Sequence, residues 1–79
     1  MDSIIFFGFG KCGTCMKLKH QFDKDGIPYT YIDISKSKHN LHMAKRHGIM
    51  LYPSLLINNS RLIHGWGNEM KDYIWNLIK

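Results

Sequence analysis

Residues 4–18, Ile-Ile-Phe-Phe-Gly-Phe-Gly-Lys-Cys-Gly-Thr-Cys-Met-Lys-Leu, hold an apolar run, a glycine-rich joint and both cysteines of the chain. Ser3 to Gly8 has the length and continuous hydrophobicity of a buried strand. Gly8, Gly10 and Gly13 then loosen the backbone around the cysteines. Beyond them the apolar spacing changes: Cys15, Leu18 and Phe22 fall at i, i+3 and i+7, the stripe of a helix. Cys12-Gly13-Thr14-Cys15 therefore lies where a strand gives way to a helix. A C-x-x-C at such a joint reads as a dithiol/disulfide redox pair.

The helix is expected to end near Gly26, a C-cap glycine with Pro28 beyond it. Pro28 to Ile34, rich in Tyr, Thr and Ile, reads as a second strand. Strand, helix and strand at this spacing imply a right-handed crossover and parallel pairing. Ser35 to His47 is polar and basic with a thin apolar stripe at Leu41 and Ala44, and reads as a second helix ending at Gly48. Tyr52-Pro53 leads into a third strand at Ser54 to Asn58. Asn58-Asn59-Ser60 is a turn, and Arg61 to His64 is the hairpin partner. After Gly65-Trp66-Gly67, the positions Met70, Tyr73, Ile74, Leu77 and Ile78 trace an amphipathic helix. The expected order is β-α-β-α-β-β-α in a single domain over residues 1–79.

At 79 residues the chain has room for one core, and with only two cysteines no structural disulfide is left over to staple it. Met1-Asp2-Ser3 is not the basic start of a secretory signal, and the apolar run is far short of the ~20 residues that span a bilayer. The expected location is the cytoplasm, away from membranes, where two thiols suit catalysis better than structure. A formal charge of +5 favours an anionic small molecule or an acidic partner, nucleic acid included, although Lys36, Lys38, Lys45 and Arg46 also read as a solvated helix face. No DNA- or RNA-binding motif accompanies the charge. Phe6, Phe7, Tyr29 and Tyr31 are expected in the core or on the sheet rather than as stacking platforms.

Thiol–disulfide exchange needs one thiolate to attack and a second thiol to resolve the mixed disulfide. Cys12 would start the first helix, where free N–H groups and the dipole favour negative charge; such sites lower a cysteine pKa from ~8.5 into the range ~3.5–7.5. Lys11 adds a positive charge beside it. Cys15 shares the inward stripe with Leu18 and Phe22, so Cys12 is the exposed nucleophile and Cys15 the sheltered resolver. A zinc finger would want a histidine about 12–15 residues past the second cysteine. The window there, Pro28 to Tyr31, has none, and the histidines read as surface residues. Only about 5–6% of X–Pro bonds in folded proteins are cis, so the residues alone favour an ordinary strand-leading proline at Pro53.

Taken together, the strand, the C-x-x-C opening a helix, the β-α-β unit and the proline before the third strand resemble the thioredoxin fold: α/β, with a four-stranded mixed sheet flanked by three helices. The short N-terminus and the glycine turn before the last helix narrow the resemblance to glutaredoxins. Lys11 before the first cysteine is similar to small phage-encoded members. The resemblance implies that Pro53 is cis and that Tyr52 offers its main-chain N–H and C=O to a thiol substrate, a miniature β-augmentation. It also implies that Lys11 and Thr14 on one side, and Gly65, Asn68 and Glu69 on the other, line a groove for glutathione. Asn68 reads besides as the N-cap of the last helix.

The departures from that family keep a second reading open. Gly13-Thr14 replaces the usual Pro-Tyr between the cysteines, Leu51-Tyr52 replaces Thr-Val, and Trp66 stands for the second glycine of the turn. A tryptophan there resembles the redoxins that are reduced by thioredoxin reductase and feed ribonucleotide reductase. The expected activity is a monomeric thiol–disulfide oxidoreductase, without bound cofactor, using glutathione or that reductase as electron donor. A bridging iron–sulfur cluster, as in some relatives, and nucleic-acid binding are the rival functions.

Overall fold

The computed structural model describes residues 2–78 and places β1 (Ile4–Gly8), α1 (Gly13–Lys24), β2 (Thr30–Asp33), α2 (Lys38–Arg46), β3 (Ser54–Ile57), β4 (Arg61–His64) and α3 (Asn68–Ile78) in that order. The sheet runs β2-β1-β3-β4, with β1 parallel to β2 and antiparallel to β3, and β3 antiparallel to β4. This is the expected thioredoxin-type architecture. The second strand and second helix are shorter than their sequence ranges. Asp33 takes both the N–H and the hydroxyl of Ser35, bending the chain out of β2. Ser37 then caps α2 by accepting the Asn40 N–H.

Alternation along the strands sorts the apolar residues onto two faces. Ile4, Phe6, Leu55, Ile57 and Ile63 pack with Cys15, Leu18 and Phe22 of α1 and Met70, Tyr73 and Ile74 of α3. Phe7 and Leu56 point the other way and meet Ala44 of α2 and Ile49. Both faces are covered, so β1 and β3 read as unbroken apolar runs rather than as alternating ones. Tyr29 and Tyr31 pack against Phe6, with ring centroids 5.8 and 5.2 Å away. Tyr31 lies in β2 and Tyr29 just before it, and both pack against the core as expected.

Gly26 and Gly48 follow α1 and α2 with φ of +68° and +74°, and each turn is closed by a main-chain bond, Ile27 N–H to Phe22 O and Ile49 N–H to Ala44 O. Asn58 and Asn59 both have positive φ, which matches the twist of a tight hairpin turn.

The start of β1 is tied down at the end of the sheet away from the cysteines. Tyr73 donates its hydroxyl to Asp2 at 2.8 Å, and the Asn58 side-chain amide donates to the same carboxylate at 3.0 Å. Tyr73 first, then Asn58, holds the Asp2 carboxyl below the usual carboxylate range. Burial, and then donation to Asp2, raises the Tyr73 phenol. A lowered carboxyl pKa contributes stability above the unfolded value, about pH 4, and loses it as pH falls through the folded one. Tyr73→Phe should therefore lower Tm at neutral pH, and the gap from wild type should narrow below about pH 4. A gap constant across a thermal-melt pH series would show that Tyr73 acts by packing alone.

Candidate active site

Phe9 to Cys12 fold into a tight turn, closed by the Cys12 N–H on the Phe9 carbonyl at 3.1 Å. That turn delivers Cys12 to the N-cap of α1 in extended conformation, φ −85° and ψ 106°, where its Sγ accepts the Cys15 N–H at 3.2 Å. One helical turn on, Cys15 is joined to it as a disulfide, with Cα atoms 5.2 Å apart. Cys12 is half-buried and Cys15 has no exposed surface. The exposed and sheltered partners are thus the ones the stripe Cys15–Leu18–Phe22 predicts.

Space for the buried sulfur comes from Gly8. A Cβ at that position would lie 3.1 Å from both Cβ and Sγ of Cys15 and 3.2 Å from the Phe6 ring. One step beyond the Phe7–Ser54 pair, the register of β1 and β3 sets Pro53 across from Gly8. The Tyr52–Pro53 bond is cis. The Tyr52 ring packs edge-on to Phe9 at 5.8 Å. The prolyl loop and the cysteine turn therefore meet at one end of the sheet.

The residues before Pro53 are gripped through their main chain. Ser54 Oγ donates to the Leu51 carbonyl at 2.6 Å and accepts the Gly65 N–H at 3.3 Å. His64 Nε2 accepts the N–H groups of Met50 at 2.8 Å and Leu51 at 3.2 Å. The side chains of these two residues nevertheless face outward, with Met50 82% and Leu51 57% exposed.

Lys11 is exposed on the turn before Cys12, and Thr14 is half-buried in the first turn of α1. Thr14 opens a groove of about 330 Å³ between α1 and α3, lined also by Lys17, Leu18, Trp66, Ile74 and Ile78. Trp66 is 47% exposed, with Lys71 Nζ 6.0 Å from its ring centroid. Gly65 is buried against Leu51. Asn68 and Glu69 stand exposed in the first turn of α3. Glu69 is not turned to the cysteines: it pairs with Arg61, at the opposite end of β4 from His64, at 3.1 Å. Asn68 is not the N-cap expected from the sequence. The Gly67 carbonyl accepts the Lys71 N–H, which makes Gly67 the cap and Asn68 the first helical residue. Among the described residues no three His, Cys, Asp or Glu side chains gather as a metal-binding group, and no helix is long and apolar enough to cross a membrane.

The glutaredoxin family model matches residues 4–62, three-quarters of the chain. The chain belongs to the glutaredoxin family. The matched span contains Cys12, Cys15, Tyr52 and Pro53 of this glutaredoxin, and stops before Gly65, Trp66, Asn68 and Glu69. Among solved structures, the chain is similar to a point mutant of the thioredoxin-like protein BC3987, with a TM-score of 0.77 at 18% identity and full coverage of both chains. That likeness establishes the fold. No curated protein matches the sequence. Family and cysteine pair together support thiol–disulfide oxidoreductase chemistry.

Three contributors to the site left no signal in the sequence. Gly8 looks like any loop glycine until the helix is laid on it. Ser54 bonds back only three residues, to Leu51, but as a strand residue it reads as part of β3. His64 lies more than a dozen positions from Met50 and Leu51, so no local spacing links it to them.

Gly8→Ala should destabilise the protein by about 1–3 kcal/mol, because the added methyl would crowd the fully buried Cys15 and Phe6. Gly13→Ala, with nothing within 4 Å of the added methyl, should be tolerated. Urea unfolding of the two variants beside wild type makes the comparison.

Proposed function

We propose that this glutaredoxin reduces disulfides by a dithiol mechanism with Cys12 as nucleophile and Cys15 as resolving thiol. The observation that carries the reading is the placement of Cys12 at the N-cap of α1, half-exposed, with the Cys15 N–H aimed at its sulfur. In the reduced protein the same N–H and the positive end of the helix favour the thiolate. The Cys12 thiolate attacks one sulfur of the substrate disulfide. The substrate bond breaks, one substrate thiolate leaves, and a mixed disulfide forms. The Cys15 thiolate then attacks Cys12 Sγ, the Cys12–Cys15 bond forms, and the second substrate thiolate leaves. The substrate gains two electrons and the protein is oxidised.

During attack, the main-chain N–H and C=O of Tyr52 pair with the peptide on which the reacting sulfur is carried. Glutathione is the proposed electron donor: two molecules return the protein to the dithiol and leave as glutathione disulfide. Lys11 supplies a cation for a glutathione carboxylate. Thr14, Pro53, Gly65 and the main-chain amides at the start of α3, around Asn68, complete the groove. The Arg61 pairing of Glu69 argues against a direct contact from that carboxylate. A second reading, reduction by a flavin-dependent thioredoxin reductase, is favoured by Trp66, whose exposed ring stands where family members keep a small residue. In either case a disulfide-bearing protein such as ribonucleotide reductase is a fitting acceptor, and the setting is the reducing cytoplasm.

The test is NADPH consumption on hydroxyethyl disulfide, coupled once through glutathione and glutathione reductase and once through thioredoxin reductase. Turnover with glutathione supports the first reading, and turnover with thioredoxin reductase alone supports the second. Cys12→Ser should abolish both. Cys15→Ser should retain activity on glutathione mixed disulfides, which need a single thiol. Reduction of disulfides by the Cys12→Ser protein would overturn the assignment of the nucleophile.

A further inference from the structure

Leu51 is held at both ends of its main chain by side chains from the β3–β4 hairpin. Its carbonyl takes the Ser54 hydroxyl at 2.6 Å, and its N–H, with that of Met50, goes to His64 Nε2 at 3.2 and 2.8 Å. Both N–H groups are taken by the lone pair of Nε2, which leaves Nδ1 as the ring's N–H position. Neighbouring Tyr52 is left open. Among the described residues, neither its N–H nor its C=O takes a main-chain partner. The chain thus passes from a residue fixed on both sides to one whose main chain is free, immediately before Pro53 and beside the cysteine turn.

Strand alternation explains how His64 comes to do this. It shares a face of β4 with Leu62, which packs on the α2 side of the sheet. The chain leaving α2 crosses that face through Ile49 on its way to β3, so Met50 and Leu51 pass over the imidazole. A main-chain segment with exposed side chains has little apolar packing to hold it. Its orientation then depends on the polar contacts, and pre-organising such a segment removes an ordering penalty from each binding event.

We infer that His64 is a positioning residue for the exchange reaction: by accepting the Met50 and Leu51 N–H groups it fixes the Tyr52 main chain in the orientation that pairs with a peptide disulfide. This rests on the proposed role of Tyr52 as the main-chain docking point. The imidazole touches neither substrate nor sulfur. Its contribution is to binding, and it is specific to substrates that bring a peptide backbone.

The experiment compares wild type with His64→Leu, His64→Asn and His64→Gln. Leucine has no acceptor, asparagine has one that is too short to reach, and the Oε1 of glutamine lies close to where Nε2 was. His64 is exposed, so all three variants should fold. The readouts are amide-proton exchange at Met50 and Leu51 by NMR, and KM and kcat for a short capped peptide with an internal disulfide and for hydroxyethyl disulfide. The expected result in the Leu and Asn variants is faster exchange at both amides and a KM for the peptide raised roughly tenfold, with kcat little changed. The rise should be smaller for hydroxyethyl disulfide, and glutamine should restore the peptide KM. Unchanged amide exchange, or failure of glutamine to restore KM, overturns the inference about His64 and leaves the role of Tyr52 standing. Faster exchange with an unaltered peptide KM overturns both, since the docking segment would then be loose without consequence. Failure of the wild-type protein to reduce the peptide would remove the underlying function before any variant is measured.

Discussion

Phe6 and Phe7 place bulk on opposite faces of the same strand, and the rest of the molecule is arranged to cover both. Phe6 has α1 and α3 over it, while Phe7 has α2. Each ring is fully buried, and burial of such a side chain contributes on the order of 2–3 kcal/mol. A strand so loaded has no solvent-facing side, and both of its edges are paired as well, to β2 and β3. The next residue is Gly8, and the change from the largest side chains to none is what lets α1 begin against the strand end with Cys15 pressed onto it. The redox pair is therefore a continuation of the core: the sulfur of Cys15 is one of its buried atoms, and Cys12 is where that core reaches the surface.

The prolyl loop is built on a different principle. Its side chains face outward, and it is held by hydrogen bonds to its main chain from Ser54 and His64. Neutral hydrogen bonds of this kind contribute about 0.5–1.5 kcal/mol each. They are weaker than the packing under Cys15, but directional. One half of the site is rigid because it is packed, and the other is oriented because it is bonded. Exchange chemistry has use for both, since the attacking sulfur has to be fixed in place and the peptide carrying the target sulfur has to be aligned to it.

The sequence disclosed what depends on local pattern. The period change at Cys15 placed α1, the glycines at 26 and 48 ended the first two helices, and Asn58-Asn59 turned the hairpin. The core face of α3 was legible as far as Met70, Tyr73 and Ile74. Boundaries moved where side chains competed with the ladder, as Asp33 and Ser35 do at the end of β2. At α3, Asn68 has the chemistry of a cap, yet Gly67 takes the cap position and Asn68 is already the first helical residue, because local preference does not outweigh where the hairpin delivers the chain. The cis bond at Pro53 came from family resemblance and not from the residues themselves. The grip of His64 on Met50 and Leu51 spans more than a dozen positions and two elements, and only the assembled sheet brings those atoms together.

The molecule has two unlike poles. At one end of the sheet lie the cysteine turn, the prolyl loop and the Gly65-Trp66-Gly67 turn. At the other, Asp2, Asn58 and Tyr73 knot the beginning of β1 to the hairpin and to α3. The full length of the strands separates the two groups, and they share no side chain. Substitutions of Asp2, Asn58 or Tyr73 act on stability at a distance from the reaction, and a surface tether or a fused partner could be joined at the exposed Asn59 and Ser60 without shadowing Cys12. Electron traffic and mechanical anchoring are in this way assigned to opposite ends of one small sheet.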